Sequence, residues 1–461
     1  MNDYVGREHA SSDLYRALTD ATRQGSQLVI QSIEGPGGIG KTALFEHVCQ
    51  KVDRVMHKVL TMKVGGGSPA QCNPFDLVQA LIASNDTPVA LKKPLAHRFS
   101  NSEEVRAVYG ELMAQARGAL ETALPDIPIE QQMSVLAPCV ASGQKLNEFV
   151  PKTKLFLNFE AIEKRLPQIE ATLKTLGPLR DEVPGILEKL GVGKSAALRN
   201  AVRGNALNAL AEAFVADLTA LMSGYEKKSR FRPAQAKEPG LDRLLLVVDD
   251  YEALSEHVGE FLVGHLVPRL KQAPFESVLV IIGRDQLALT HPGWNQHHQR
   301  ELRKPIALAS LNREEMDALV MAHGGGGSID ALERAWADTL GYPLLVTLWL
   351  EEAQEPGQGE GPSIGLLKRF HDRTTFWLTD EQKRWLHHAL FLSKINVETF
   401  ATMLGDGDEA RRAMDWFQND GSVRDALGRA FRVRPYVRSR LVDYLEATDP
   451  ERARALKALA A

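Results

Sequence analysis

The residues from Gly35 to Thr42 read GPGGIGKT, which fits the phosphate-loop pattern of a glycine, four further residues and Gly-Lys-Thr. Glycines in such a loop let backbone N–H groups point inward around a β-phosphate, at the positive end of the following helix. Lys41 would reach the β- and γ-phosphates, and the Thr42 hydroxyl would hold Mg²⁺. The alternative is a chance match in a loop. It is disfavoured because a strand-like run, 28–35, precedes the motif and a helical pattern follows it.

An acidic pair ends the apolar run LLLVVDD at 244–250. Asp249 would lie at the carboxyl edge of the sheet beside the phosphate loop, where it can position magnesium together with Thr42. Asp250 is one residue further on and would orient or deprotonate a water molecule. Glu252 is the alternative for that role, with Asp250 favoured. The competing interpretation is that these acids only cap a turn.

Arg284 follows a second apolar run, VLVIIG at 278–283, about thirty residues after the acidic pair. An arginine at the end of that strand would reach a γ-phosphate and report whether it is present. The alternative is a surface arginine paired with Asp285. The predicted catalytic residues are therefore Lys41, Asp249, Asp250 and Arg284.

Strand-like runs lie at 28–35 and 59–64. The continuous apolar runs at 244–250 and 278–283 are typical of parallel strands buried on both faces. Helical patterns between them predict an α/β P-loop NTPase core with a doubly wound parallel sheet. About 180 residues separate the second run from the third, far more than a crossover needs. That stretch reads as successive helices, so we expect an inserted helical subdomain at about 94–200.

This pattern predicts that the chain has four parts. The core spans 1–290 with its insertion, and a helical lid spans 291–354. The composition of 355–365 (EPGQGEGPS at 355–363) predicts a linker. Residues 366–461 form short helices with a short strand at 431–433, which fits a winged-helix-like domain.

Composition excludes several classes of protein. The 461 residues carry 55 Lys and Arg against 59 Asp and Glu, so no basic footprint marks the whole chain. Three cysteines without CxxC spacing give no zinc site or disulfide framework. No apolar run is long enough to span a membrane and no signal peptide is visible, so we expect a cytoplasmic protein.

Several motifs together resemble the STAND class of signal-transducing P-loop ATPases, which are relatives of the AAA+ and NB-ARC proteins. These motifs are YVGREHASSDLYRAL at 4–18, the phosphate loop, LLLVVDDYEAL, VLVIIGRDQL, IALASLNREEMDAL at 306–319 and GYPLLV at 341–346. The resemblance spans 4–64 and 241–350, and more faintly 370–447. Six motifs in the same order are more specific than the phosphate loop alone.

The resemblance implies further nucleotide contacts. Val5 and Arg7 would lie near the adenine and ribose, and Pro343 would close over the base from the lid. The alternative for Pro343 is that it only separates two helices, with Gly341 ending the first. The class often offers a histidine from its winged helix to bound ADP. The matching position here holds Arg434, which would contact the β-phosphate directly. The predicted binding residues are Val5, Arg7, Gly35, Pro36, Gly37, Gly38, Ile39, Gly40, Lys41, Thr42, Ala43, Pro343 and Arg434.

We therefore expect an ATP-binding and slowly hydrolysing switch that uses ATP/ADP and Mg²⁺, with nucleotide state controlling assembly or partner recruitment. We expect the usual sensor repeats and effector domain of the class to be absent and a protein partner to supply them in trans. The helical insertion is the alternative recognition element. A homo-oligomer and a DNA-associated ATPase are further hypotheses. DNA binding would use a cluster of C-terminal arginines on the phosphates: Arg424, Arg429, Arg432, Arg434, Arg438 and Arg440. The overall acidity argues against it. A scaffold that binds nucleotide only for stability is the third hypothesis.

Overall fold

The computed structural model describes residues 6–19, 27–55, 59–65, 73–84, 99–123, 205–223, 241, 243–323, 328–353, 364–375, 378–419, 423–427 and 430–460. Val5 lies outside these residues, as do most of the predicted insertion at 94–200 and most of the predicted linker at 355–365. None of the helices in the described ranges is long and apolar enough to cross a lipid bilayer.

The centre of the fold is a five-stranded parallel sheet in the order β2–β3–β4–β1–β5. The strands are β1 (Leu28–Glu34), β2 (Val59–Val64), β3 (Arg243–Val248), β4 (Glu276–Gly283) and β5 (Ile306–Ala307). The first four coincide with the strands predicted from the sequence. The fifth was not predicted, because residues 306–319 were interpreted as the run into the lid.

Both faces of the sheet are covered, so alternate strand residues enter different hydrophobic cores. One face packs against α1 (Glu8–Thr19) and α2 (Lys41–Val55). The other face packs against α3 (Pro74–Ala83), α4 (Ser100–Ala123), α5 (Ala206–Met222), α6 (Tyr251–Glu260), a π-helical turn (Phe261–Leu266) and α7 (Val267–Gln272). The predicted doubly wound α/β core is confirmed by this arrangement.

Asp217 of α5 holds the first turn of α4. Its carboxylate is 2% exposed and accepts four hydrogen bonds, two from Asn101 and two from Ser102, with lengths from 2.7 to 3.3 Å. The backbone N–H groups at the start of a helix have no partner within it, so this carboxylate satisfies two of them. The two described helices that flank residues 124–204 are therefore fixed to each other.

Beyond β4 the chain forms two short helices, α8 (Leu287–Thr290) and α9 (Gly293–His297), before it reaches β5. Three helices follow: α10 (Arg313–Ala322), α11 (Ile329–Thr339) and α12 (Pro343–Ala353). They enclose a small core of their own: Leu311, Met316, Val320, Leu332, Ala335, Val346 and Leu350. We call α10, α11 and α12 the three-helix cluster.

The C-terminal region contains α13 (Ile364–Thr375), α14 (Asp380–Ala389), α15 (Val397–Leu404), α16 (Gly407–Asn419), the antiparallel hairpin β6 (Arg424–Leu427) and β7 (Ala430–Val433), α17 (Pro435–Thr448) and α18 (Pro450–Leu459). The strand predicted at 431–433 lies within β7. The buried residues of this region belong to the same core as α1, α2 and one face of the sheet. Its assignment as a winged-helix-like domain stays a prediction.

Candidate functional site

The phosphate loop connects β1, which ends at Glu34, to α2, which begins at Lys41. Gly38 and Gly40 have φ angles of +77° and +91°, a region that favours glycine because it has no Cβ. A Cβ on Gly38 would also lie 2.8 Å from Cβ of Leu344, so the loop touches the three-helix cluster closely there. Gly38 is thus required by its backbone conformation and by this contact, and Gly40 by its backbone conformation.

Lys41 lies over the start of its own loop. Its Nζ donates hydrogen bonds to the carbonyl oxygens of Gly35 (2.8 Å) and Pro36 (3.1 Å). Burial lowers the pKa of the ammonium, while the nearby carboxylate of Glu252 opposes that shift. The group is therefore held at the place where phosphates would enter the loop.

Thr42 and Asp249 meet at the carboxyl edge of the sheet, as predicted for a magnesium site. The Thr42 hydroxyl donates to Oδ2 of Asp249 at 2.9 Å, and Asp249 is 6% exposed. Burial raises the pKa of this carboxyl, whereas Lys63, with its Nζ 3.7 Å from Oδ2, acts in the opposite direction. A hydroxyl and a carboxylate are hard oxygen donors of the kind that Mg²⁺ takes, so the residues fit this ion. Within the described ranges, no group of three or more His, Cys, Asp or Glu residues could hold a metal ion.

Asp250 stands at the start of α6 in a left-handed backbone conformation, with φ 52° and ψ 40°. Its backbone N–H donates to Oδ1 of Asp249 at 3.0 Å. A non-glycine residue rarely adopts this conformation. Asp250 adopts it directly after Asp249, the acid at the edge of the sheet. Both acids line the cleft described below.

Arg284 forms an ion pair with Glu252. Its Nε lies 2.8 Å from Oε1 of Glu252, and its backbone N–H donates to Oε2 at 3.0 Å. Burial raises the pKa of Glu252, and the positive charges of Arg284 and Lys41 oppose that rise. Glu252 was considered in the sequence only as an alternative to Asp250 beside the attacking water. The structure places its carboxylate on Arg284.

Arg7 connects three segments around the phosphate loop. Its guanidinium donates to the carbonyl oxygens of Ile39 (2.6 Å) and Ala309 (2.8 Å), and its backbone N–H donates to Glu315 of α10 (2.7 Å). The motif predicted to precede the phosphate loop therefore lies against that loop and against the three-helix cluster.

The sequence did not predict that Tyr342 contacts the phosphate loop. Its hydroxyl donates to the carbonyl oxygen of Gly37, and the next helix adds a bond from the backbone N–H of Leu344 to Gly38 (3.2 Å). On its other side the ring stacks on Tyr436 of α17, with centroids 4.3 Å apart. Tyr342 therefore links the phosphate loop to the C-terminal region. Its only signal in the sequence was its place between Gly341 and Pro343.

Arg434 immediately precedes α17, and its backbone N–H donates to the carbonyl of Val423 (2.8 Å). Burial raises the pKa of the Tyr342 hydroxyl well above its ordinary value, and the charges of Arg284 and Arg434 act on it in the opposite direction. The two arginines thus act on Tyr342 from different parts of the chain, one from the sheet and one from the C-terminal region.

One cleft of about 990 Å³ brings most of the predicted site residues together. The three-helix cluster contributes Pro343 to it, and α13 contributes Arg369 and Arg373. The predicted residues that line it are Arg7, Gly37, Gly38, Ile39, Gly40, Lys41, Thr42, Ala43, Asp249, Asp250, Arg284 and Pro343.

No protein-family model matches the sequence. No curated protein matches it significantly.

Solved structures give matches at low identity. A STAND protein with a tetratricopeptide repeat sensor from Pyrococcus horikoshii is 12% identical with a TM-score of 0.30; the match covers 99% of this chain and 47% of that one. The chain thus spans about half the length of that protein. A Walker-type ATPase of Pyrococcus abyssi is 11% identical with a TM-score of 0.46, covering 95% and 96% of the two chains. The ORC1 protein of Aeropyrum pernix in complex with DNA is 11% identical with a TM-score of 0.37, covering 99% and 95%.

The resemblance to STAND-class P-loop ATPases that the sequence motifs indicated is thus found again among solved structures. At these identities and TM-scores it carries no activity and no residue role to this chain.

Proposed function

We propose that this chain binds ATP, hydrolyses it slowly and uses the bound nucleotide as a switch for assembly or partner recruitment. One observation carries the proposal: the phosphate loop is hydrogen-bonded at Gly37 and Gly38 to Tyr342 and Leu344, and Tyr342 stacks on Tyr436. A change at the phosphates would therefore act directly on the contacts that join the core to the three-helix cluster and to the C-terminal region.

The phosphate chemistry rests on the loop and the acidic strand. Backbone N–H groups of the loop and Lys41 would bind the phosphates at the N-terminus of α2. Thr42 and Asp249 would hold Mg²⁺, which when bound neutralises charge on the phosphate oxygens. Asp250 would orient the attacking water and accept its proton.

Switching requires that ATP and ADP favour different arrangements of the same domains, because a ligand shifts an equilibrium only by its difference in affinity for the two states. Arg284 would report the γ-phosphate, Arg7 and Pro343 would enclose the base, and Arg434 would contact the β-phosphate. The three-helix cluster would act as the lid of 291–354. Three helices followed by a hairpin, α14–α16 and β6–β7, support a winged-helix-like domain in 366–461.

The remaining parts of the proposal concern the cellular setting. The switch would act in the cytoplasm on a protein partner or effector supplied in trans, and a nucleotide-dependent homo-oligomer is the simplest assembly. The core would span 1–290, with 355–365 as the linker to the C-terminal domain.

Lys41→Ala tests the proposal directly. Loss of a charged hydrogen-bonding group on the phosphates should weaken nucleotide binding by about tenfold to a hundredfold. We expect the wild type to change molar mass, by light scattering, with a non-hydrolysable ATP analogue but not with ADP, and Lys41→Ala to show no change. Lys51→Ala, an exposed lysine on the same helix, is the matched control. Assembly that is the same in Lys41→Ala and the wild type would contradict the proposal.

DNA binding by the C-terminal arginines stays a prediction without a structural observation in its favour. Arg440 is 7% exposed and donates to the carbonyl of Ala337 in α11 (2.6 Å) while it pairs with Asp443 (2.8 Å). Arg438 donates to the carbonyl of Leu390 (2.6 Å). Both side chains therefore hold protein segments together. Arg429 lies outside the described residues.

A further inference from the structure

The carboxylate of Glu252 makes two contacts with a single residue. One oxygen lies 2.8 Å from Nε of Arg284 and the other accepts the backbone N–H of Arg284 at 3.0 Å. The side chain of Glu252 is 19% exposed and that of Arg284 is 12% exposed, so little water competes for either charge. Such a paired, charge-assisted contact fixes the direction of the guanidinium as well as its position.

Two glycines lie against this pair. A Cβ on Gly283, which ends β4, would lie 3.4 Å from Oε2 of Glu252. A Cβ on Gly37 of the phosphate loop would lie 3.5 Å from Cζ of Arg284. The guanidinium therefore lies between the loop and the carboxylate that holds it.

Charged groups crowd this end of the cleft. Glu252, Asp249 and Asp250 bring three carboxylates near Lys41 and Arg284. Lys63 adds a third cation, with its Nζ 3.7 Å from Oδ2 of Asp249. The γ-phosphate is the group that distinguishes ATP from ADP. It carries negative charge, so it would compete with Glu252 for Arg284.

We propose that Glu252 is a specificity-determining residue that lowers the affinity of the cleft for ATP relative to ADP by holding Arg284. This inference rests on the proposed nucleotide binding. It gives the resting form a preference for ADP that is built into the core itself and needs no contact from the C-terminal region. Glu252 acts through Arg284 and so is a positioning residue.

Glu252→Gln is the test, because the amide keeps one acceptor for Arg284 and removes the charge. Dissociation constants for ADP and for a non-hydrolysable ATP analogue are measured by calorimetry with Mg²⁺ present. We expect the ATP/ADP affinity ratio to rise about tenfold, the difference between a charged and a neutral hydrogen bond. Glu252→Asp keeps the charge on a shorter side chain, so its ratio should fall between those of the wild type and Glu252→Gln.

The effect must depend on Arg284. In an Arg284→Ala background, Glu252→Gln should leave the ratio unchanged, because the group that it releases is absent. Glu276→Gln is the matched control: Glu276 of β4 pairs with Arg243 of β3 at 2.7 Å, at the end of these strands that is opposite to the cleft. It should leave the ratio at the wild-type value.

The possible outcomes separate the two proposals. If the wild type binds both nucleotides and Glu252→Gln leaves their ratio unchanged or lowers it, this inference is wrong while the proposed function stands. The same holds if the ratio rises equally with Arg284 absent. If the wild type binds neither nucleotide, the proposed function fails and the inference fails with it.

Discussion

The stack of Tyr342 on Tyr436 provides a direct test of coupling between the phosphate loop and the C-terminal region. Tyr436→Ala removes one ring of the pair and leaves the Tyr342 hydroxyl free to donate to Gly37. An aromatic pair of this kind contributes about 0.5–1.5 kcal/mol beyond its buried area. In the proposed switch, the C-terminal region contacts the phosphate loop in a closed arrangement and leaves it in an open one. The equilibrium between the two should therefore shift by roughly 2- to 12-fold toward the open arrangement.

Release of a fluorescent ADP analogue, followed by stopped flow, measures this shift. A cleft that opens more often releases its nucleotide faster, so we expect the release rate to rise roughly 2- to 12-fold in Tyr436→Ala. Tyr436→Phe keeps the stacked ring and loses only the hydroxyl that interacts with Tyr342, so its release rate should rise less than that of Tyr436→Ala. The reasoning is refuted if Tyr436→Ala releases ADP at the wild-type rate, or if Tyr436→Phe is accelerated as much as Tyr436→Ala.

Two further predictions concern stability. Burial, followed by the charge of Arg452, lowers the pKa of His387 from 6.5 to about 4, so the folded protein resists a proton that the unfolded chain accepts. The free energy of unfolding should therefore be unaffected by this group above pH 6.5 and fall by about 3 kcal/mol at most between pH 6.5 and 4. Burial also lowers the pKa of His371 and His388, so both proteins should lose stability over this range. Urea denaturation at several pH values should show a larger loss in the wild type than in His387→Leu; parallel curves would disprove it. Asp217→Ala leaves the Ser102 and Asn101 donors without their acceptor and should destabilise by about 3 kcal/mol. The control Glu212→Ala, an exposed acid on the same helix, should cost less than about 1 kcal/mol, and equal losses in the two variants would speak against the capping role.

The parts of the fold that the sequence predicted are those with a strong local signal. Strands β3 and β4 contain continuous runs of apolar residues because they are buried on both faces of the sheet. Strand β5 was missed because its two residues, Ile306 and Ala307, are too few for any periodicity. They pair with Ile33 and Glu34, which lie far away in the chain.

The candidate site likewise contains features that the sequence predicted and features that it did not. The phosphate loop and the acidic pair were predictable because a fixed spacing and a strand–loop–helix context determine where they lie. The pairing of Glu252 with Arg284 depends on two neighbouring strands of the sheet, and no local pattern shows which acid faces the arginine. The stack of Tyr342 on Tyr436 depends on how two distant regions pack, which the sequence around either residue does not encode.

The left-handed conformation of Asp250 has a consequence for how this chain evolves. Glycine, with no Cβ, adopts that conformation without strain, whereas an aspartate there costs on the order of 1 kcal/mol or more. Selection for thermal stability alone would therefore favour glycine at position 250 and remove the carboxylate. Persistence of an acid at this position in a lineage would then report selection for activity, and its replacement by glycine would mark descendants that have been released from that constraint.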